Sequence, residues 1–391
     1  MRFLILSAVP AFAGASLLVG LLSASPATPS PGVGLEHVYE YTKPLRWEGD
    51  LKADLDPAGH YLYVLEAGKG DVSAHVIDWR SGEEMRRVNL SDLSCDWETQ
   101  WEIVQWEFVP KTSFIHLGCG ASHYLLAGAD LSVAHTLWDA APRLADIAFS
   151  PDGNLVLVLP TLKEAHATAA LYRLSPWEKV ADMELEGRGP LFTQDGKHVV
   201  TLLFSFKLVS SVRVATTCGI AFYEVPAGKP VRRWVREVSG QFCPHRPKTV
   251  PQADSYMMLE DFELKQPQGY SVPTIIIWDA WTGEIARTIN YYPDLGPSTL
   301  LSVSADGRFA VAGAWDDPQD SRWSRDFIIW DLQEGTVAYQ APKYRSAWGN
   351  NTSGREVYPH FSYDGKYLIL VRERSVELLQ IIPPATDGAV K

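Results

Sequence analysis

Phe149-Ser150-Pro151-Asp152-Gly153, followed by the apolar run 155–159, decides the fold. An Asp-Gly between two apolar runs predicts a tight hairpin turn, because Gly accepts positive φ without strain. The phrase returns as Phe192-Thr193-Gln194-Asp195-Gly196, Val303-Ser304-Ala305-Asp306-Gly307 and Phe361-Ser362-Tyr363-Asp364-Gly365. A partner phrase, Ile277-Trp278-Asp279 with Thr282-Gly283-Glu284 and Ile329-Trp330-Asp331 with Glu334-Gly335-Thr336, ends a β-branched run and predicts a second hairpin turn. Each unit therefore reads as four antiparallel strands, the first two joined by the Asp-Gly turn and the last two by the second turn.

The spacing counts the units. Gly153 to Gly196 is 43 residues and Gly307 to Gly365 is 58, one unit each. Gly59 to Gly153 is 94 and Gly196 to Gly307 is 111, so each of these intervals holds two. The unmarked units fall near 104–108 with 114–117, and near 249–250 with 256–259. The expectation is an all-β chain, a single seven-bladed β-propeller of four-stranded antiparallel blades over residues 36–383. The last unit, from Glu356, has only three strands, and Val38-Tyr39-Glu40-Tyr41 supplies the fourth. Closure by both chain ends leaves no free edge.

These phrases resemble the WD40-type β-propeller family in a divergent exported form, related to YVTN-like propellers. Trp278-Asp279 and Trp330-Asp331 match its Trp-Asp strand end, Asp78-Trp79 has the pair reversed, and Tyr223-Glu224 is a weaker echo. The family's Gly-His start and its buried Asp-His-Ser/Thr-Trp network are mostly missing. The resemblance implies a non-catalytic scaffold for protein binding. It leaves open the related propellers that carry a metal or cofactor in the central channel, lactonase-like or quinoprotein-dehydrogenase-like.

The N-terminus reads as an export signal: Arg2, a small and apolar stretch to Leu22, then Ser25-Pro26-Ala27 before cleavage after Ala27. An uncleaved membrane anchor is the alternative. Residues 28–35 read as a linker rich in Pro, Ser and Gly, and 384–391 as a disordered tail. The protein is then expected to be exported: periplasmic, extracellular or in the cell envelope. A formal charge of −12 without a basic block argues against nucleic acid as a partner. Cys95, Cys119, Cys218 and Cys243 are even in number and fit disulfides in an oxidising compartment. Free buried thiols are the alternative, and zinc lacks the close spacing it needs.

The two tight turns of every unit share one end of the ring, which stays short and regular. Insertions at 91–102, 162–168, 205–217, 238–247, 261–272, 291–297, 314–326 and 343–354 fall at the other end. Long loops in a compact domain tend to carry function. All four cysteines map there, and Cys95–Cys119 and Cys218–Cys243 are the local pairings. Trp97, Trp101, Trp315, Trp323 and Trp348 lie in or beside these loops and are candidates to anchor a protein or glycan. The competing reading has them cap the layers between blades. Trp79, Trp138, Trp278 and Trp330 read as structural, in third strands. Asp316-Asp317-Pro318-Gln319-Asp320 lacks the glycine and distal Glu of a calcium loop and reads as a solvated acidic turn. No catalytic motif, metal-ligand spacing or phosphate loop is present, so no catalytic, cofactor or metal residue is assigned.

Overall fold

The computed structural model describes residues 33–42, 49–68, 71–95, 105–119, 121–139, 145–160, 166–209, 212–237, 248–250, 257–265, 271–290, 301–313, 327–341, 357–372 and 374–382. The signal, the linker up to residue 32 and the C-terminal tail lie outside them.

The described residues form four-stranded antiparallel blades in a β-propeller arrangement. Sheet 1 holds β2 (Gly49–Leu55), β3 (Tyr61–Gly68), β4 (Asp71–Asp78) and β5 (Glu83–Asn89). Sheet 2 holds β6 (Gln105–Phe108), β7 (Phe114–Cys119), β8 (Ser122–Ala127) and β9 (Val133–Asp139). Sheet 3 holds β10 (Ala145–Phe149), β11 (Leu155–Pro160), β12 (His166–Leu174) and β13 (Trp177–Glu186). Sheet 4 holds β14 (Arg188–Phe192), β15 (His198–Val209), β16 (Val212–Glu224) and β17 (Pro230–Glu237). Sheet 5 holds β18 (Lys248–Val250), β19 (Met257–Lys265), β20 (Ser271–Asp279) and β21 (Glu284–Asn290). Sheet 6 holds β22 (Leu301–Val303), β23 (Phe309–Gly313), β24 (Phe327–Asp331) and β25 (Thr336–Gln340). Sheet 7 joins β26 (Tyr358–Phe361), β27 (Tyr367–Val371) and β28 (Ser375–Ile382) to β1 (Gly34–Thr42), antiparallel to β28. The expected closure by the N-terminal strand is therefore present.

The core lies between sheets. Each hydrophobic cluster draws on two neighbours: Leu65 and Ile115 join sheets 1 and 2, Leu125 and Val156 sheets 2 and 3, Leu157 and Val199 sheets 3 and 4. Phe222 and Ala280 join sheets 4 and 5, Ile277 and Trp330 sheets 5 and 6, Val311 and Leu368 sheets 6 and 7, and Leu62 and Ile369 sheets 7 and 1. A strand such as β11 is covered on both faces, so its sequence is a continuous apolar run instead of an alternation. Outer strands such as β5, Glu-Glu-Met-Arg-Arg-Val-Asn, are mostly exposed.

The repeated phrase is a self-bonded turn. Ser150 Oγ donates to Asp152 Oδ1 at 2.6 Å and accepts from the Leu155 N–H at 2.8 Å, while Asp152 Oδ1 accepts the Asn154 N–H at 3.0 Å. Thr193 with Asp195, and Ser362 with Asp364, repeat the hydroxyl–carboxylate bond at 2.6 and 2.7 Å. The hydroxyl two residues before Asp is thus as much part of the motif as Asp-Gly. Gly153 sits at φ 72°, and a Cβ there would lie 1.9 Å from the Pro110 carbonyl oxygen of the neighbouring sheet's turn. Both the turn and the close approach require glycine.

The second turn is capped by the Asp of Trp-Asp. Asp279 Oδ1 accepts the Trp281 and Thr282 N–H groups at 2.9 and 3.0 Å, and Asp331 Oδ1 accepts those of Gln333 and Glu334 at 3.0 Å. Asp78 does the same for Arg80 at 3.0 Å, so it occupies the equivalent position and the pair is not a reversal: Ile77 stands where Trp is expected.

Four expectations need correction. Trp138 lies on β9, a fourth strand, Trp79 lies in the turn just after the third strand β4, and Cys218 lies within the third strand β16 instead of in a loop. Residues 166–168, 205–209, 212–217, 261–265 and 271–272, expected as loop, belong to β12, β15, β16, β19 and β20. Their β-branched and aromatic residues extend the ladder past the length at which neighbouring strands stop.

Candidate functional site at the long-loop end

Cys95 and Cys119 are joined, with Cα atoms 5.3 Å apart across 24 residues. The bridge ties the segment after β5 to the end of β7, at the end of the ring opposite the tight turns. Cys119 is buried in the cluster between sheets 1 and 2, and Cys95 packs against it. Cys218 is also disulfide-bonded. Cys243 lies outside the described residues, as do Trp97, Trp101, Trp315, Trp323, Trp348 and the 316–320 acidic stretch.

Inner strands carry the side chains that a channel site would use, and several are engaged between sheets. Asp54 Oδ2 on β2 accepts the Phe108 N–H of β6 at 2.9 Å, and Ser302 Oγ on β22 accepts the Phe361 N–H of β26 at 3.2 Å. Asp146 Oδ2 on β10 accepts the Gly189 N–H of β14 at 3.1 Å. Burial pushes the Asp146 carboxyl above its ordinary range, against the opposing pull of Gly189 and Arg188. Among the described residues, no three or more His, Cys, Asp or Glu converge as metal ligands.

Two polar clusters, which the sequence reading did not identify, are buried toward the long-loop end. The first stands between sheets 7 and 1. His75 Nδ1 lies 2.7 Å from Glu84 Oε2, and its Nε2 lies 3.0 Å from Ser73 Oγ and 3.5 Å from Glu66 Oε2. Tyr41, on β1, donates its hydroxyl hydrogen to Glu66 Oε1. The distances among Ser73, His75 and Glu84 are those of a nucleophile, base and orienting acid. The surroundings favour the charged imidazole, whereas a general base must be neutral. Burial alone would lower His75, but Glu66 and Glu84 outweigh it and hold the imidazole above its ordinary value. Ser73 Oγ also accepts from Arg87 at 3.4 Å. Ser73 and His75 are only 2% and 3% exposed, so no substrate reaches them. The cluster is a closed clasp between the first and last sheets.

The second cluster stands between sheets 2 and 3. His116 and His123 stack with ring centroids 5.3 Å apart, His116 Nε2 lies 3.1 Å from His123 Nδ1, and His116 Nδ1 lies 3.4 Å from Glu107 Oε1. A Cβ on Gly118 would lie 2.9 Å from His123 Nδ1, so the glycine makes room for the ring. Burial pushes His123 down to about 3, helped by His116 and opposed by a bond to the Ala145 backbone. His123 is therefore a neutral acceptor for His116 N–H.

This state has a measurable consequence. The folded value of about 3 lies below the ordinary 6.5, so His123 contributes fully above pH 6.5 and costs stability as pH falls from 6.5 toward 3. At its steepest the loss approaches about 1.4 kcal/mol per pH unit. The urea midpoint should fall across this range more steeply for the wild type than for His123→Gln. Parallel profiles would show that His123 is not held neutral.

No protein-family model matches the chain, and no curated protein matches it significantly.

Proposed function

We propose that this chain is a non-catalytic, WD40-like seven-bladed propeller that binds a protein or glycan on its long-loop end, outside the cytoplasm. The carrying observation is the one-sided distribution of elaboration: the Cys95–Cys119 bridge and the extended ends of β15, β16, β19 and β20 stand opposite the uniform tight turns. Seven four-stranded sheets and a hydrophobic cluster between each successive pair support the blade count. The buried Ser73, His75 and Glu66, and the inner-strand Asp54 and Asp146, are spent on the frame, which favours the binding reading over an enzyme. A disulfide fits an oxidising compartment and hence export. A second bridge, Cys218–Cys243, and a cleaved signal before residue 28 belong to the same proposal.

The test places a photo-crosslinking residue at Trp97, Trp315 or Trp323, and separately at Asn154, Lys197 or Lys366 on the tight-turn end, in cells that make the protein. One partner captured from the first set and not from the second is the expected result. Capture only from the tight-turn positions would overturn the choice of face.

A further inference from the structure

We infer that the ring carries one acid-sensitive seam: the interface between sheets 2 and 3 opens locally as pH falls below neutral, while the interface between sheets 7 and 1 stays shut. Each seam buries an imidazole, and the two differ in the company it keeps. Between sheets 2 and 3, His123 Nδ1 faces His116 Nε2 at 3.1 Å, with the ring centroids stacked 5.3 Å apart. Nitrogens at this separation share one proton, and a second would set donor against donor. Both rings are enclosed. His116 is 0% exposed and His123 5%, the Phe149 ring of β10 packs edge-on to His116 at 5.2 Å, and Leu125, Val156 and Val158 fill the same seam.

Charged and titratable groups on the surrounding strands do not compensate. Glu107 of β6 lies 3.4 Å from His116 Nδ1, the nitrogen that does not face His123, and is itself 58% exposed. Asp146 of β10 accepts the Gly189 N–H of sheet 4. On β9, His135 stacks on Trp177 with centroids 4.4 Å apart, and Asp139 is opposite Ser122 in the ladder. β11, Leu-Val-Leu-Val-Leu-Pro, carries no charge. A further proton therefore sets two cationic rings side by side in an apolar seam, and opening relieves this by letting water reach them. Between sheets 7 and 1, His75 instead lies 2.7 Å from Glu84 and 3.5 Å from Glu66, with Tyr41 on Glu66, Arg87 on Ser73, and Glu377 of β28 held by Arg372. Two carboxylates meet one proton there.

Linkage gives the two seams opposite signs. His123 is pushed down to about 3 in the closed seam and returns to its ordinary 6.5 when the seam opens, so the opening constant should rise about 25-fold from pH 7 to pH 5. His75 is raised in the folded state, so the same drop in pH favours the closed form of its seam. Neither sign depends on what the long-loop end binds, so this inference and the proposed function can fail separately.

Hydrogen–deuterium exchange of the purified protein at pH 7 and pH 5, corrected for intrinsic rates, should show this rise in β7, β8 and β10 and no rise in β1 and β28. His123→Gln should abolish it. A rise spread evenly over all sheets, no rise, or a rise that His123→Gln retains would each overturn the inference. If His123→Gln loses the wild-type melting transition, exchange of the histidine C2 hydrogens in the wild type replaces it. A His123 midpoint well below 6.5 is then the expected result, and one at or above 6.5 overturns the inference.

Discussion

An internal deletion of residues 33–42 is expected to abolish the cooperative unfolding transition. β1 is the outer strand of sheet 7 and pairs from Gly34–Ile382 to Thr42–Ser375. Val33 and Leu35 enter the cluster between sheets 6 and 7, while Val38, Tyr39 and Tyr41 pack between sheets 7 and 1. Burying each such side chain contributes up to about 1.5–3 kcal/mol, less where burial is partial. Together with the lost ladder this reaches the order of 5–10 kcal/mol, the entire stability of an ordinary domain. The deletion also uncovers β28 as a free edge, which invites aggregation. Urea titration followed by near-ultraviolet circular dichroism should show no sharp transition, and a synthetic peptide of residues 33–42 should restore part of it. A deletion variant with the wild-type midpoint would show that β1 does not close the ring.

Glu66→Ala is the second large expectation, with a loss of about 3–5 kcal/mol, because it breaks a buried His75–Glu66 pair by removing one partner. It leaves His75 with Glu84, which is half exposed, and leaves the Tyr41 hydroxyl without its acceptor. Glu66→Gln keeps an acceptor for Tyr41 and should lose less. The pH dependence separates charge from packing. Burial alone would raise Glu66, but hydrogen bonds from His75 and Tyr41 hold it below its ordinary 4.5, so its contribution is complete above pH 4.5 and is lost below. The raised His75 contributes fully below its ordinary 6.5 and loses that contribution as pH rises through its higher folded value. The gap between wild type and Glu66→Gln should therefore be widest between pH 4.5 and 6.5 and shrink on both sides. A gap independent of pH would mean that the cluster acts by shape alone.

The frame was legible because its signals are local. Ser150, Asp152 and Gly153 bond to one another within one turn, and Asp279 caps the two residues that follow it. Even the closure by 38–41 could be counted, since a propeller with three strands at one end of the chain needs one more at the other. The clasp could not be read in this way. Tyr41, Glu66 and His75 come from three strands of two sheets, and each looks in sequence like an ordinary strand residue. His116 and His123 did carry a weak signal, seven residues apart across the short Cys119–Ser122 connection, but only the pairing of Gly118 with His123 brings the rings together. The insertion at 205–217 suggests loop by its length alone, although Val212-Arg213-Val214 continues a strand pattern.

The sequence alone determined the repeated four-stranded unit, its two turns, the end of the ring that keeps them and the strand that shuts it. These follow from hydrogen bonds and apolar periodicity within a few residues of the chain. Tertiary structure decided which polar residues are spent between sheets and which hairpins outrun their neighbours. Burial and charge pairing depend on what the adjoining sheet brings, and no window along one strand contains that.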